Sequence, residues 1–229
     1  MIKRGIFLFS ILIFSSAFLS AQQVITAERY LEMVSENYGS IVDYEANIAI
    51  RSGNTEMAGN ISYLSPSFIR IDFTRPAEQV IVFNNETLTV FLPEFRTVLS
   101  QDISQARRTG TGGAGLATAQ GLSLLRRNYV PSFLTGPNPE PLDSGSSEMV
   151  IKLRLTRRVV SEGFREIILS IRPDSMLIRR IEGRTIADGE VRFDFTNMRT
   201  NINIPEQRFI YENPPLATMH NNFLFREFD

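Results

Sequence analysis

The feature that most constrains the fold of this chain is a two-residue alternation of apolar and polar side chains. It recurs in short runs separated by hairpin turns. Tyr44, Ala46, Ile48 and Ile50 alternate with Glu45, Asn47, Ala49 and Arg51, and Ser52-Gly53-Asn54 is turn chemistry. Ile61 and Tyr63 share a face of the next run. Ile69, Ile71 and Phe73 alternate with Arg70 and Asp72 up to Pro76. Val80 to Phe83 and Leu88 to Leu92, which includes Val90, are joined across Asn84-Asn85, a tight-hairpin signal. Val98 and Leu99 predict a short sixth strand. Ile151, Leu153 and Leu155, then Ile167, Leu169 and Ile171, repeat the pattern before Pro173. Met176 to Gly183 follows, and Asp188-Gly189 turns the chain into Val191, Phe193 and Phe195. Phe209 and Tyr211 are expected in a last core strand before Pro214-Pro215. About ten or eleven such strands predict a mainly β (α+β) fold built on an antiparallel sheet. One face is apolar and one is wet. A sheet of that size curls or is covered.

Two segments depart from this period. Ala27, Tyr30, Leu31, Val34 and Tyr38 form a narrow stripe at helical spacing, with Thr26 placed to cap its start and Gly39 its end. Between Asp102 and Glu140 there is no acidic residue, while Arg107, Arg108, Arg126 and Arg127 give the stretch a local charge of +4. It holds a glycine run, Gly110 to Gly115, then a short helix with Leu122, Leu125 and Tyr129 on one side. Pro131, Pro137, Pro139 and Pro141 predict a loop before the sheet resumes. The glycine run spells G-x-G-x-x-G. No strand abuts it, no acid follows at the ribose distance, and no Lys-Ser/Thr follows for a phosphate loop. It reads as a connector.

Residues 1–21 have the form of a secretory signal peptide. Lys3 and Arg4 precede an apolar run from Ile6 to Phe14, and Ala21 or Ala17 offers the cleavage site. The remaining 22–229 is expected to fold as one domain. Cleavage takes the net charge from −1 to −3 through the loss of Lys3 and Arg4. That balance argues against a general nucleic-acid binder. With no Cys, the chain has no disulfide framework, thiol chemistry or lipid-modified N-terminus. The one histidine, His220, lies among polar residues and reads as a surface side chain. No H-x-x-H spacing suggests a metal, and no G-x-S-x-G elbow a nucleophile. No metal, cofactor or catalytic residue is expected, and the chain does not read as an enzyme. The sequence holds 17 Phe against 6 Tyr and no Trp. An apolar sheet face of this composition is either a plain core or the wall of a cavity for an acyl chain.

Ser65-Pro66-Ser67-Phe68-Ile69-Arg70-Ile71-Asp72-Phe73-Thr74-Arg75-Pro76, followed by Val80-Ile81-Val82-Phe83-Asn84-Asn85-Glu86-Thr87-Leu88, resembles the core of outer-membrane lipoprotein carriers, the LolA-like family. Arg184-Thr185-Ile186 to Asn197, then Asn201-Ile202-Asn203-Ile204-Pro205 to Phe209 and Pro214, is similar to that family's C-terminal pattern. The resemblance spans about Gln22 to Pro215. It implies an unclosed half-barrel whose concave face is covered by helices and holds lipoprotein acyl chains. It further implies a monomeric periplasmic carrier that takes lipoproteins from an inner-membrane releasing transporter to an outer-membrane acceptor. One position departs from the family: the functional Arg before Pro is Ser65 here. Arg70 lies in the opposite strand register from the apolar face, so the role is not carried over to it.

On this reading the cavity is lined by Ile48, Ile50, Ile61, Tyr63, Ile69, Ile71, Phe73, Leu88, Val90, Ile151, Leu153, Leu169, Val191, Phe193 and Phe195, which occupy one parity of their strands. Leu31 and Val34 on the first helix, with Leu122, Leu125 and Tyr129, are expected to form a lid. The glycine run would be its hinge and the arginines its rim. A related exported sensor of lipoproteins or other amphiphiles is the alternative, and a lipid hydrolase or transferase the rival from another class.

Overall fold

The computed structural model describes residues 25–102, 113–160 and 162–223. The expected signal peptide, residues 110–112 of the glycine run, and Arg107 and Arg108 lie outside them. Helix α1, Ala27–Gly39, is capped by the Thr26 hydroxyl, which accepts from the Arg29 amide. Ala27, Tyr30, Leu31, Val34 and Tyr38 are its buried stripe. Six strands follow: β1 (Asp43–Ser52), β2 (Thr55–Leu64), β3 (Phe68–Arg75), β4 (Ala77–Asn84), β5 (Thr87–Leu92) and β6 (Thr97–Asp102). After a 3-10 turn at Gly113–Ala117 come α2 (Ala119–Asn128), β7 (Tyr129–Phe133) and β8 (Glu140–Pro141). The second run is β9 (Met149–Arg157), β10 (Phe164–Ile171), β11 (Ile178–Thr185) and β12 (Glu190–Thr200). The last strand is β13, Thr218–Asn221.

The strands form an unclosed sheet in the order β13-β6-β5-β4-β3-β2-β1-β12-β11-β10-β9-β7, with β8 paired to β9. All pairings are antiparallel except β13 with β6, which is parallel. The two halves of the chain meet where β1 pairs with β12. Cross-strand partners point to one side of a sheet, so the register defines an inner face row by row. One row runs Ala46, Ile61, Ile71, Ile81, Val90, Leu99. A second runs Ile50, Phe193, Ile181, Leu169, Leu153, Phe133. Ile48 stands between Gly59 and Phe195. The first row as far as Ile81, the whole of the second, and the stripes of both helices form one apolar core.

Several expectations are corrected. Thirteen strands form rather than ten or eleven, because Tyr129–Phe133, Glu140–Pro141 and Thr218–Asn221 also pair. Pro131 does not lie in a loop: it sits in the sheet's edge strand, where the amide it lacks is not needed. Tyr129 is not on the helix. It opens β7 in extended conformation, and its hydroxyl donates to the Phe164 carbonyl at 3.2 Å. Met176 has a φ of 55° and belongs to the turn before β11. Phe209 and Tyr211 are not in a core strand. Phe209 ends a 3-10 helix, Glu206–Phe209, and both pack on the outer face of the sheet.

Candidate functional site

The inner face has two differently covered parts. Helices α1 and α2 pack on each other and on β7, so the β7 to β12 side is sealed. Leu31, Val34, Leu122 and Leu125 are all buried there, as are Ile151, Leu153, Leu169, Phe193 and Phe195. Tyrosines tie the layers together. The Tyr38 hydroxyl accepts from the Ile178 amide at 3.0 Å, and the Tyr44 hydroxyl donates to the Ala117 carbonyl at 3.1 Å. Burial pushes the Tyr38 and Tyr44 hydroxyls above their ordinary pKa. At Gly121 an added Cβ would stand 2.2 Å from the Gly115 carbonyl oxygen. The glycine run therefore ends in a tight contact with α2.

Towards β3, β4 and β5 the cover thins. Ile48, Ile50, Ile61, Tyr63, Ile71 and Phe73 are buried. Ile69, Ile81, Phe83, Leu88, Val90 and Leu92 are half-buried on the same inner face, as is Val191 on β12. Every residue of β5 is of this intermediate kind. The expected cavity residues thus share one face. They divide into a packed set under the helices and a half-open apolar strip over β3 to β5.

The outer face is held by charge. Asp43, 2% exposed, accepts from three successive amides, Ile202 (2.7 Å), Asn203 (3.0 Å) and Ile204 (3.3 Å). Asn201 and Asn203 adopt left-handed φ of 55° and 62°, a conformation Asn tolerates. They turn the chain back across the sheet as a strap. The strap is seated by Phe209 on Phe68 and Tyr211 on Phe91, with ring centroids 5.6 and 6.1 Å apart. Arg70 chelates Asp72 and donates to the Arg208 and Ile210 carbonyls at 3.1 and 3.3 Å, while Arg208 also pairs with Asp72. Partial burial works to raise the Asp72 pKa, but the Arg70 and Arg208 guanidiniums outweigh it and hold it below the usual range. Arg70 is therefore an anchor of the outer face.

Further along, Arg180 is buried between Asp143 and Asp194. Arg172 and Arg179 both grip Glu148, which clamps residues 142–148 over the same face. Two hollows, of about 390 and 560 Å³, lie between strap and clamp and share Asn47 and Asn60. The larger is lined mainly by polar groups, while the smaller is mixed, with Ile48, Ala49 and Ala58 beside Asn47, Asn60 and Asp194.

Ser65 is exposed in the β2–β3 turn, and its amide donates to the Val42 carbonyl at 2.7 Å. His220 is exposed on β13. Arg126 pairs with Glu32 of α1 at 2.8 Å. It stands with Arg127 in the last turn of α2, where positive charge suits the helix dipole. Among the described residues no cluster of three His, Cys, Asp or Glu could hold a metal, and no helix is long and apolar enough to cross a membrane.

No protein-family model and no curated protein sequence matches this chain. Solved structures do. An uncharacterized conserved protein from Thermus thermophilus aligns over 85% of this chain and 98% of its own, at 14% identity and a TM-score of 0.55. The Mycobacterium tuberculosis lipoprotein LppX aligns over 78% and 97%, at 11% identity and a TM-score of 0.52. The chain shares their fold. A looser resemblance reaches a LolA-superfamily protein from Nitrosomonas europaea, 18% identical over 82% of this chain and 98% of that one, with a TM-score of 0.41. At these identities the likeness is one of fold alone.

Proposed function

We propose that this protein is an exported, non-enzymatic carrier that holds lipoprotein acyl chains on the inner face of its sheet and moves them from the inner to the outer membrane. The observation that carries this reading is the half-open apolar strip of Ile69, Ile81, Phe83, Leu88 and Val90. It adjoins the packed core, and among the described residues it is only half-buried. An acyl chain laid along it gains ~0.8 kcal/mol per CH₂ removed from water. The sequence resemblance to lipoprotein carriers and the export signal at 1–21 support the same reading. The cavity is the strip together with Ile48, Ile50, Ile61, Tyr63, Ile71 and Phe73 beneath it, and it extends towards Ile151, Leu153, Leu169, Val191, Phe193 and Phe195 when the cover moves.

Leu31, Val34, Leu122 and Leu125 are the lid. Uncovering Leu122 and Leu125 alone costs on the order of 3–6 kcal/mol. Opening is therefore rare without ligand, and cargo chains that take the place of these side chains offset the cost. Purified protein should retain acylated cargo detectable by mass spectrometry, and should bind a fluorescent fatty-acyl probe. Leu88→Asp should abolish probe binding at nearly unchanged unfolding midpoint. Probe binding that survives Leu88→Asp and Val90→Asp together would remove the strip as the site.

A further inference from the structure

Seven large apolar side chains are more than half exposed among the described residues, and five of them stand at one end of the sheet. That end carries the β1–β2, β3–β4, β5–β6, β9–β10 and β11–β12 connections. The five are Phe95 (68%), Val159 (52%), Val160 (79%), Ile186 (55%) and Leu216 (82%). Single exposed apolar residues are ordinary. Here they occupy three of the five loop tips and the approach to β13, in two groups towards the two sides of the sheet. Val159 and Val160 cap the β9–β10 hairpin and Ile186 the β11–β12 hairpin. Phe95 sits in the β5–β6 turn. Leu216 lies just ahead of β13, whose first amide, that of Thr218, bonds the Arg96 carbonyl at 2.9 Å.

We propose that this end is a membrane-docking face, which seats these tips in the interfacial layer of an anionic lipid bilayer. The tips are spread over about nine strand spacings, on the order of 45 Å along the sheet. They do not make the contiguous patch that a protein partner needs. A planar, deformable surface meets them together. Each cluster has basic neighbours. Arg157 and Arg158 precede the two valines, and Arg96 follows Phe95. Arg127 ends α2 beside the β9–β10 loop, where the Arg158 amide bonds the Asn128 carbonyl at 2.8 Å. Arg157 donates to the Val160 carbonyl and Arg158 to the Tyr129 carbonyl, each at 3.1 Å. Neither forms a salt bridge among the described residues. Glu94, Glu162 and Asp188 stand on the same tips, Asp188 held by Arg165 at 2.9 Å. Apolar insertion and guanidinium–headgroup contact therefore act together. This inference extends the carrier reading, since a carrier has to meet a membrane.

The chain has no Trp, so one introduced indole reports its own surroundings. Val160→Trp should blue-shift on addition of vesicles of phosphatidylethanolamine and phosphatidylglycerol, whereas Val42→Trp, at the opposite end, should not. In the otherwise unaltered chain, Val159→Asp with Val160→Asp should lower vesicle partitioning by about tenfold or more. Arg158→Glu should lower it by about fivefold or more, and only with anionic vesicles. Acyl-probe loading should persist in both variants, which separates docking from cargo binding. An unshifted Val160→Trp would overturn the proposal. So would equal shifts at both ends, which mean adsorption of the whole surface. Loss of probe loading with docking intact would instead strike the carrier reading.

Discussion

Asp43 shows how much one side chain can decide. Its carboxylate collects three backbone amides of the strap, and hydrogen bonds to a charged acceptor are stronger than neutral ones. Asp43→Ala leaves those amides without their acceptor. It should cost about 2–4 kcal/mol, read as a lower urea midpoint, while Asp43→Asn should cost less because one oxygen remains. Tyr30 is the opposite case. Its buried hydroxyl has no hydrogen-bond partner among the described residues, and burial pushes its pKa up to about 12. Tyr30→Phe removes an unsatisfied group, so it should be neutral or stabilising by up to ~1 kcal/mol in thermal melts. A clear destabilisation would show that the hydroxyl has a partner in solution.

Among the elements, the outer strap and α2 respond to different changes. The strap depends on Asp72 between Arg70 and Arg208. A carboxylate whose folded pKa is depressed stabilises the fold above its unfolded value and loses that contribution as pH falls through the folded one. The strap should therefore hold at neutral pH and loosen as the pH drops below the ordinary aspartate value of 3.8. Amide exchange across 201–211 should rise there before exchange in β9 to β12 does. Helix α2 depends on a close approach. Gly121→Ala drives a methyl group into the Gly115 carbonyl and the Leu116 Cα, 2.6 Å away. Overpacking of this kind should cost about 1–3 kcal/mol. Under the proposed lid role of α2, acyl-probe uptake should increase, because the helix is lifted.

For the whole molecule, the proposed carrier role implies that cargo and stability draw on different halves of one face. Leu125→Ala, under the helices, should cost about 2–5 kcal/mol in unfolding free energy. Val90→Ala, on the half-open strip, should change stability by well under that and weaken acyl-probe affinity instead. A uniform cost at both positions would mean that the strip is ordinary core.

The sequence alone determined which residues face inward. Alternation has period two and the α1 stripe period 3.6, and both are written locally, so Tyr44 to Ile50, Ile151 to Leu155 and Ala27 to Tyr38 are legible without any partner. Turn chemistry at Gly53 and Asp188 likewise fixed where strands reverse, since few residues adopt a left-handed φ. The tertiary structure decided what lies on each face. Phe209 and Tyr211 have strand-like spacing, yet three amides captured by Asp43, 159 to 161 residues earlier in the chain, carry them to the outer side. Pro131 reads as a breaker, but it is admitted because its strand is the edge. The difference between sealed core and half-open strip has no local signature either. Leu88 and Leu153 are the same residue in the same pattern, and only the position of two helices over the sheet separates them.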